Sequence, residues 1–264
     1  MRAIIRWTLW QRRWSTMWWS AGISAFILLN MVFYPSFKNQ AADLQKSFES
    51  LPDAAVQLFG GSTDFFSPVG FLNSQIFFLM LPLLLGVLAI ALGSSLLARE
   101  EHDKTIETLL SRPLSRSKLL ASKALAGVAI LGSATAAGLA TTLMTAQLVD
   151  LDVAASRIIA ATALCFVLAL SFGAIAFALA ATGKARTASL GIASAVALGG
   201  YLISSLAGTV SWLETPAKLF PFHYYRPEAI LIGSFDWLNL VFLSGIIALF
   251  GIISWAPFRR RDIY

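Results

Sequence analysis

The segment LLAREEHDKTIETLLSRPLSRSKLLASK, residues 96–123, interrupts a chain that is otherwise strongly apolar. It places ten charged side chains between two long hydrophobic runs. Of the 264 residues, 57% are hydrophobic and only 13% are charged, whereas a soluble domain has about 25% charged residues. A chain of this composition cannot cover a surface that faces water. We therefore expect a single domain, residues 1–264, made of membrane-spanning helices.

Working outward from this segment, six runs are long and apolar enough to cross a bilayer, which takes about 20 residues. The first run is too long for the core of a signal peptide, so we expect a retained span. The third and fourth runs are long and rich in Ala, Gly and Thr, and for this reason tilted or broken helices are expected there. The pattern predicts an all-α membrane protein with spans at residues 17–37, 71–98, 119–148, 156–182, 187–212 and 235–258.

Charged residues are distributed unevenly between the two sides that these spans define. Fifteen of the 20 Lys and Arg residues fall on the side of the termini and of residues 96–123, and nine of the 14 acidic residues fall on the other. Because basic residues accumulate on the cytoplasmic side, both termini are predicted to be cytoplasmic. The net charge of +6 then reflects topology. The lipid bilayer, and not nucleic acid, is the expected partner.

The sequence lacks the motifs of a catalytic, cofactor or metal site. Gly183-Lys184 is not preceded by the glycine of a phosphate-binding loop, so we expect no nucleotide to bind this chain directly. His102 and His223 fall on opposite sides of the membrane, and Cys165 is the only cysteine. An enzyme is therefore not expected. No span has an ionisable residue near its middle, which disfavours a proton-driven carrier.

Three segments outside the spans have patterns of their own. Residues 1–16 place Arg2, Arg6 and Arg13 on one helical face and Trp7 and Trp14 on another, which predicts an interfacial helix on the inner leaflet. A loose basic tail is the alternative.

The other two segments are predicted to lie outside. Residues 38–68 repeat apolar side chains at helical spacing and predict an outer loop with an amphipathic helix. Residues 213–234 contain three prolines and an aromatic cluster, and they are too short to cross the bilayer. They predict a re-entrant segment whose backbone is shielded by protein.

Small residues recur in the fifth span at a spacing typical of closely packed helices. Gly191, Ala195 and Gly199 form one row. A second row comprises residues 200, 204 and 208. Each row fits packing within the chain or contact with a second chain.

Within the opening segment, Ile106, Leu109 and Leu110 share one face of a short helix. Pro113 ends this helix, because the residue before a proline disfavours the helical region. Ser115 is placed to cap the helix that follows. The pattern predicts a short helix parallel to the membrane, apolar on one side and ionic on the other, which suits docking of a partner. A solvated loop is the alternative, and it explains the basic residues but not the acidic ones.

This segment resembles the cytoplasmic loop of ABC-2-type export permeases, the membrane subunits of ATP-binding-cassette exporters. That loop typically has paired glutamates, a Gly-Thr step, an acidic residue, a Leu pair, Pro-hydrophobic-Ser-Arg, and a lysine that leads into the third span. Lys104 replaces the glycine. The stretches FGGSTDFFSPVGFLNSQIFFLMLPLLLG and LFPFHYYRPEAILIG are also similar to members of this family. The loop positions that match are Glu100, Glu101, Thr105, Glu107, Leu109, Leu110, Pro113, Leu114, Ser115, Arg116 and Lys123.

The resemblance implies a multi-pass permease in the cell membrane of a prokaryote, with residues 99–118 as a cytoplasmic coupling loop. It implies a separate cassette-type ATPase in two copies, which binds ATP and Mg, and a second permease chain, identical or not. An ATP-independent scaffold or sensor subunit of the same architecture is the alternative. The implied ATPase-coupling residues are Glu100, Glu101, Thr105, Ile106, Glu107, Leu109, Leu110, Arg112, Pro113 and Arg116.

Overall fold

Long helices that run from end to end make up the protein, as the sequence predicts. A computed structural model describes residues 1–39, 67–97 and 115–260, with side chains omitted at 37–39 and 257–260. All regular secondary structure in these ranges is helical. The long helices are α1 (Arg2–Asn39), α3 (Met80–Ser95), α4 (Arg116–Leu148), α5 (Ala155–Ala181), α6 (Arg186–Leu206) and α9 (Trp237–Arg260).

Shorter elements complete the fold. Helix α2 (Pro68–Leu72) and a π-helical turn (Asn73–Phe77) precede α3, and α7 (Glu214–Ala217) and α8 (Pro227–Ile232) lie between α6 and α9. Among the described residues, six helical segments are long and apolar enough to cross a membrane, which agrees with the predicted number of spans. We call the end of the bundle that carries residues 97 and 115 the loop end, and the end that carries residues 207–236 the far end.

Two helix pairs have the most extensive packing among the described residues, α3 with α5 and α1 with α4. The pair of α3 and α5 lies at the core of the bundle. They approach most closely at Gly93, where an added Cβ would overlap the carbonyl oxygen of Gly173. Helix α1 runs parallel to α4, and Ile23 and Ile27 pack against Gly138. Small residues are therefore needed where these backbones meet.

The N-terminal region differs from the prediction of an interfacial helix at 1–16 followed by a separate span. Residues 2–39 form one continuous helix of 38 residues. At 1.5 Å per residue it is about 57 Å long, well beyond the roughly 30 Å of a hydrocarbon core. Ile4 and Thr8 are buried in the same bundle as Ile23 and Ile27. Packing along α4 holds the polar N-terminal turns in line with the apolar ones.

The third and fourth spans are expected to be tilted or broken, and the break is wrong, because α4 and α5 are each continuous. The interruption lies in the second span, where the π turn ends at Phe77 and α3 begins at Met80. Pro82 follows two residues into α3 and has no N–H for the preceding turn. Leu79 lies between the π turn and α3, and its φ of −127° and ψ of −50° fall outside the helical region.

The fifth span is shorter than the predicted residues 187–212, because α6 ends at Leu206. Residues 211–234 then form short helical pieces that pack on α5 and α6. Helix α8 ends at Gly233, whose φ of +110° favours glycine. The Arg157 guanidinium donates to the Leu231 carbonyl at 3.1 Å. It thus supplies a donor to one of the last carbonyls of α8, which have no partner within the helix. The predicted helix in the outer loop falls on residues 40–66, outside the described residues.

Candidate functional site

The predicted coupling loop joins α3 to α4 at the loop end. Nine of its ten predicted coupling residues fall within positions 98–114, outside the described residues. The tenth, Arg116, is the first residue of α4. Ser115 precedes it in an extended conformation, and its hydroxyl accepts a hydrogen bond from the Lys118 N–H at 3.4 Å. The predicted helix cap is confirmed, and it fixes where the loop enters the third span.

A buried lysine joins α4 to the N-terminal turns of α1. Lys123 is 2% exposed, and its Nζ donates to the Thr8 hydroxyl at 3.0 Å. Thr8 is also 2% exposed. A buried ammonium is costly unless it is hydrogen-bonded. This contact therefore ties the start of α4 to a fixed turn of α1.

An arginine makes the matching contact to the helix on the other side of the loop. Arg12 lies one turn beyond Thr8 on α1, and its guanidinium donates to the Ser95 hydroxyl at 2.9 Å. Ser95 is the last residue of α3 and is buried. Helix α1 is thus hydrogen-bonded to both helices that flank the coupling loop. We call these four residues, Thr8, Arg12, Ser95 and Lys123, the junction.

The predicted interfacial residues lie on the surface of α1 that points away from the junction. Arg2, Arg6 and Arg13 are exposed, as are Trp7 and Trp14 at 55% and 60%. Trp7 stacks on Trp10, with ring centroids 5.5 Å apart, and the Arg13 guanidinium carbon lies 4.1 Å from the Trp10 ring centroid. Exposed tryptophans beside arginines are typical of a membrane–water interface.

The sequence reasoning did not identify the junction as a site. Lys123 was included only as part of the loop motif, and Thr8, Arg12 and Ser95 were not singled out. The one sequence signal was a lysine placed after the apolar Leu119-Leu120 pair, where burial forces a polar partner. The partner itself is 115 residues away and is not visible in local patterns.

Helix α6 presents one of its two small-residue rows to the outside. An added Cβ would meet nothing within 4 Å at Gly191 or at Gly199, so this row makes no close contact within the described residues. The second row packs internally, because a Cβ on Gly200 would lie 2.9 Å from the Phe220 ring. Beside the outer row, a small apolar groove of about 100 Å³ lies between α3 and α6 and is closed at the far end by Tyr201 and Phe222.

The far end holds a polar cavity of about 400 Å³ next to this groove. Glu214, Lys218, His223 and Arg226 line it together with hydroxyl groups of α6. Partial burial lowers the pKa of His223, and the charges of Arg226 and Lys218 lower it further. The cavity wall thus carries two basic groups, Lys218 and Arg226, and one acidic group, Glu214.

A buried tyrosine joins this far-end segment to the interruption in the second span. The Tyr225 hydroxyl donates to the Phe77 carbonyl at 2.6 Å, where the π turn ends. Burial raises the pKa of Tyr225 well above its usual value, and contact with Cys165 acts in the same direction. The hydroxyl therefore stays protonated and remains a donor.

Within the described ranges, no group of three His, Cys, Asp or Glu residues could hold a metal ion. A search of curated proteins returned no match. The model of a family described as ABC-2 family transporter protein matches residues 3–263. This match covers nearly the whole chain and agrees with six candidate spans. The chain therefore belongs to the ABC-2 transporter family and is a multi-pass membrane permease of an ABC transporter.

Proposed function

We propose that this permease is the membrane-spanning subunit of an ATP-driven exporter in the cell membrane of a prokaryote. Residues 99–118 dock a separate cytoplasmic ATPase of the cassette class, present in two copies. ATP and Mg are bound by that partner, and this chain, with a second permease chain, forms the substrate path. Membership of the family and the resemblance of the loop motif support this assignment.

The observation that carries the proposal is the junction at the base of the coupling loop. The loop leaves α3 just after Ser95 and enters α4 at Arg116. Arg12 and Lys123 connect α1 to these two helices over 2.9 and 3.0 Å. A push on the loop therefore reaches three spans at once through short, partly buried contacts. Such coupling needs an element with two discrete arrangements, and a rigid junction of three helices is suited to move as one body.

The orientation follows from charge. Fifteen of 20 basic residues fall on the side of the loop end, and such an excess marks the cytoplasmic side. The exposed Trp and Arg residues of α1 support a position of its first turns at the inner membrane surface. In this orientation the coupling loop faces the compartment that contains ATP, and the re-entrant segment 213–234 faces outward.

In the coupling helix, Leu109 and Leu110 supply the apolar contact with the ATPase. Glu100, Glu101, Glu107, Arg112 and Arg116 set the choice of partner by charge. Buried apolar anchors carry most of the energy of an interface, whereas charged rims control specificity and association rate. Closure of the ATPase pair on ATP then biases the permease toward its outward-releasing state.

The second permease chain packs on the open row of α6. Gly191 and Gly199 have free space above their Cα atoms, and Leu198 beside them is 57% exposed. Small residues that make no close contact with the described part of the chain allow a second helix to approach closely. A Gly199→Trp substitution is expected to shift the purified permease from dimer to monomer in size-exclusion chromatography with light scattering. Gly245→Trp, at an equally open position of α9, is the matched control.

The docking assignment is tested by the double substitution Leu109→Asp and Leu110→Asp. It should abolish co-purification of the ATPase and ATP-dependent export, while insertion and the oligomeric state stay unchanged. The control carries Leu148→Asp and Leu219→Asp, at leucines that are 82% and 78% exposed near or within the far end. If the first variant retains its ATPase and exports normally, the docking assignment is wrong. If no ATPase accompanies the unmodified chain when it is purified from its own host, an ATP-independent scaffold or sensor is favoured.

A further inference from the structure

A second cavity, of about 490 Å³, lies near the loop end between α3, α4, α5 and α9. It is separate from the groove between α3 and α6, with which it shares no lining residue. Its wall consists of aliphatic, aromatic and glycine residues except at Ser117, Ser254 and Trp255. These three residues lie at the same end, because Ser117 begins α4 and Trp255 is close to the end of α9. The cavity is thus apolar inside, with its polar atoms at one rim.

A hydrogen bond between α9 and α4 lies at the rim. The Trp255 indole N–H donates to the Ser117 hydroxyl at 3.1 Å, and the Trp255 side chain is 43% exposed. Gly251, one turn further into α9, lines the cavity and has nothing within 4 Å of an added Cβ. At Gly251, helix α9 therefore leaves open space toward α4 among the described residues.

The size and chemistry of this space restrict what can fill it. Water is a poor occupant, because a buried water needs two to four polar partners, and the interior offers none beyond the rim. A helix of a second chain is too wide, since a cylinder about 10 Å across would fill the volume with only about four residues. A flexible hydrocarbon chain fits an apolar cavity with one polar rim.

Positive charge lies beside the rim, at the start of α4. Arg116 and Lys118 flank Ser117 in the first turn of α4, whose N-terminus adds positive helix dipole. Basic clusters between spans on the cytoplasmic side attract anionic lipid head groups.

We propose that this cavity binds one acyl chain of an anionic phospholipid from the leaflet at the loop end. Its head group then lies against the first turn of α4, directly below the coupling loop. The lipid fills the gap between α4 and α9 and completes the packing of the helix that enters the junction. The inference rests on a membrane location and not on the ATPase, so the permease alone can be tested.

The experiment uses the purified permease in phosphatidylcholine nanodiscs that contain a small fraction of phosphatidylglycerol with a photoreactive acyl chain. Peptide mass spectrometry should find labelling at residues 247–252 in excess over Val241, which is 65% exposed on α9 but does not line the cavity. Gly251→Phe should reduce the excess to the level of Val241. Gly245→Phe, the same change at an open position outside the cavity, should leave it unchanged.

The predicted contact of the lipid head group with α4 is tested by a separate pair of variants. Lys118→Gln should lower labelling by anionic lipid about fivefold, because one basic residue near a membrane surface contributes about 1 kcal/mol. Lys184→Gln, also exposed at the loop end but away from the cavity, should have no effect. If Gly251→Phe fails to fold, Ala248→Phe fills the same cavity from an exposed position.

Three results would overturn the proposal. Equal labelling of Val241 and residues 247–252 would mean ordinary lipid contact. Equal labelling by a phosphatidylcholine probe would exclude selection of an anionic head group. Labelling of residues 247–252 that appears only when the permease is monomeric would identify a second chain as the occupant.

Discussion

Removal of one hydroxyl group, in Tyr225→Phe, should weaken the fold measurably. The hydroxyl donates to the Phe77 carbonyl at 2.6 Å across 148 residues of sequence. That carbonyl lies at the end of the π turn, where a helix leaves its last carbonyls without partners. Pro82 is the residue whose N–H would have continued the π ladder, and it has none. The substitution therefore leaves a buried acceptor without its side-chain donor.

The magnitude follows from burial and from the apolar surroundings. Leaving a buried hydrogen-bonding group unsatisfied costs about 1–3 kcal/mol in soluble proteins, and hydrogen bonds between membrane helices contribute about 0.6 kcal/mol on average and at most about 1.7. Tyr225 is 7% exposed. Phenylalanine keeps the aromatic ring, so the substitution leaves no cavity that would lower the stability further. We expect the free energy of unfolding to fall by about 1–2 kcal/mol.

The assay is reversible unfolding of the purified permease in mixed micelles, followed by far-ultraviolet circular dichroism as the denaturing detergent increases. Tyr224→Phe is the matched control, since its hydroxyl donates to the Lys218 carbonyl at an exposed site and should matter by less than about 0.5 kcal/mol. In a Pro82→Ala background a backbone N–H returns, so Tyr225→Phe should cost less there. Equal stability of the two tyrosine variants would refute this account of the second span.

Substitutions at three other sites, His223, Thr8 and Gly93, have expected outcomes of their own. The pKa of His223 is lower in the folded protein than its usual value near 6.5, so the unfolded chain binds more protons in acid. The free energy of unfolding should therefore fall as pH drops below about 6.5 and level off below the folded pKa. In the same unfolding assay, His223→Gln should lose this pH dependence. Thr8→Val removes one acceptor of the buried Lys123 ammonium, so it should lower the unfolding free energy by about 1–2 kcal/mol and reduce ATPase-coupled export. The control Thr16→Val, at a hydroxyl that donates to the Arg12 carbonyl within α1, should change the unfolding free energy by less than about 0.5 kcal/mol. Gly93→Ala must separate α3 from α5 and should abolish folded expression in a fluorescence size-exclusion assay. The control Gly86→Ala in the same helix should express normally, because the atom nearest to the new Cβ is 3.9 Å away.

The number of spans was predictable because apolar length alone decides it. The cap at Ser115 was predictable for a local reason as well, since a hydroxyl before a helix start satisfies a free N–H. Local sequence also contained the cause of the interrupted second span, because Pro82 lies inside the apolar run MLPLLLG. The Ala- and Gly-rich third and fourth spans suggested tilt or a break instead, although small residues there serve close packing.

Long-range packing accounts for what the sequence did not show. Whether residues 1–16 continue the first span depends on α4, through the contact of Lys123 with Thr8. The spacing of small residues on α6 gave two equivalent rows, and only the position of Phe220 shows that one is used internally. The Tyr225 contact joins parts of the chain that no periodicity relates. For the coupling residues at 98–114, the sequence motif remains the basis of the prediction.

The most direct test of the central claim asks on which side of the membrane the coupling loop lies. Cys165 is the only cysteine and is 0% exposed, so a cysteine introduced at His102 can be labelled against a low background. A membrane-impermeant maleimide applied to intact cells should leave His102→Cys unlabelled and should label Asp53→Cys, in the predicted outer loop. After permeabilisation, His102→Cys should react. Labelling of His102→Cys in intact cells would place the loop away from ATP and contradict the proposed coupling.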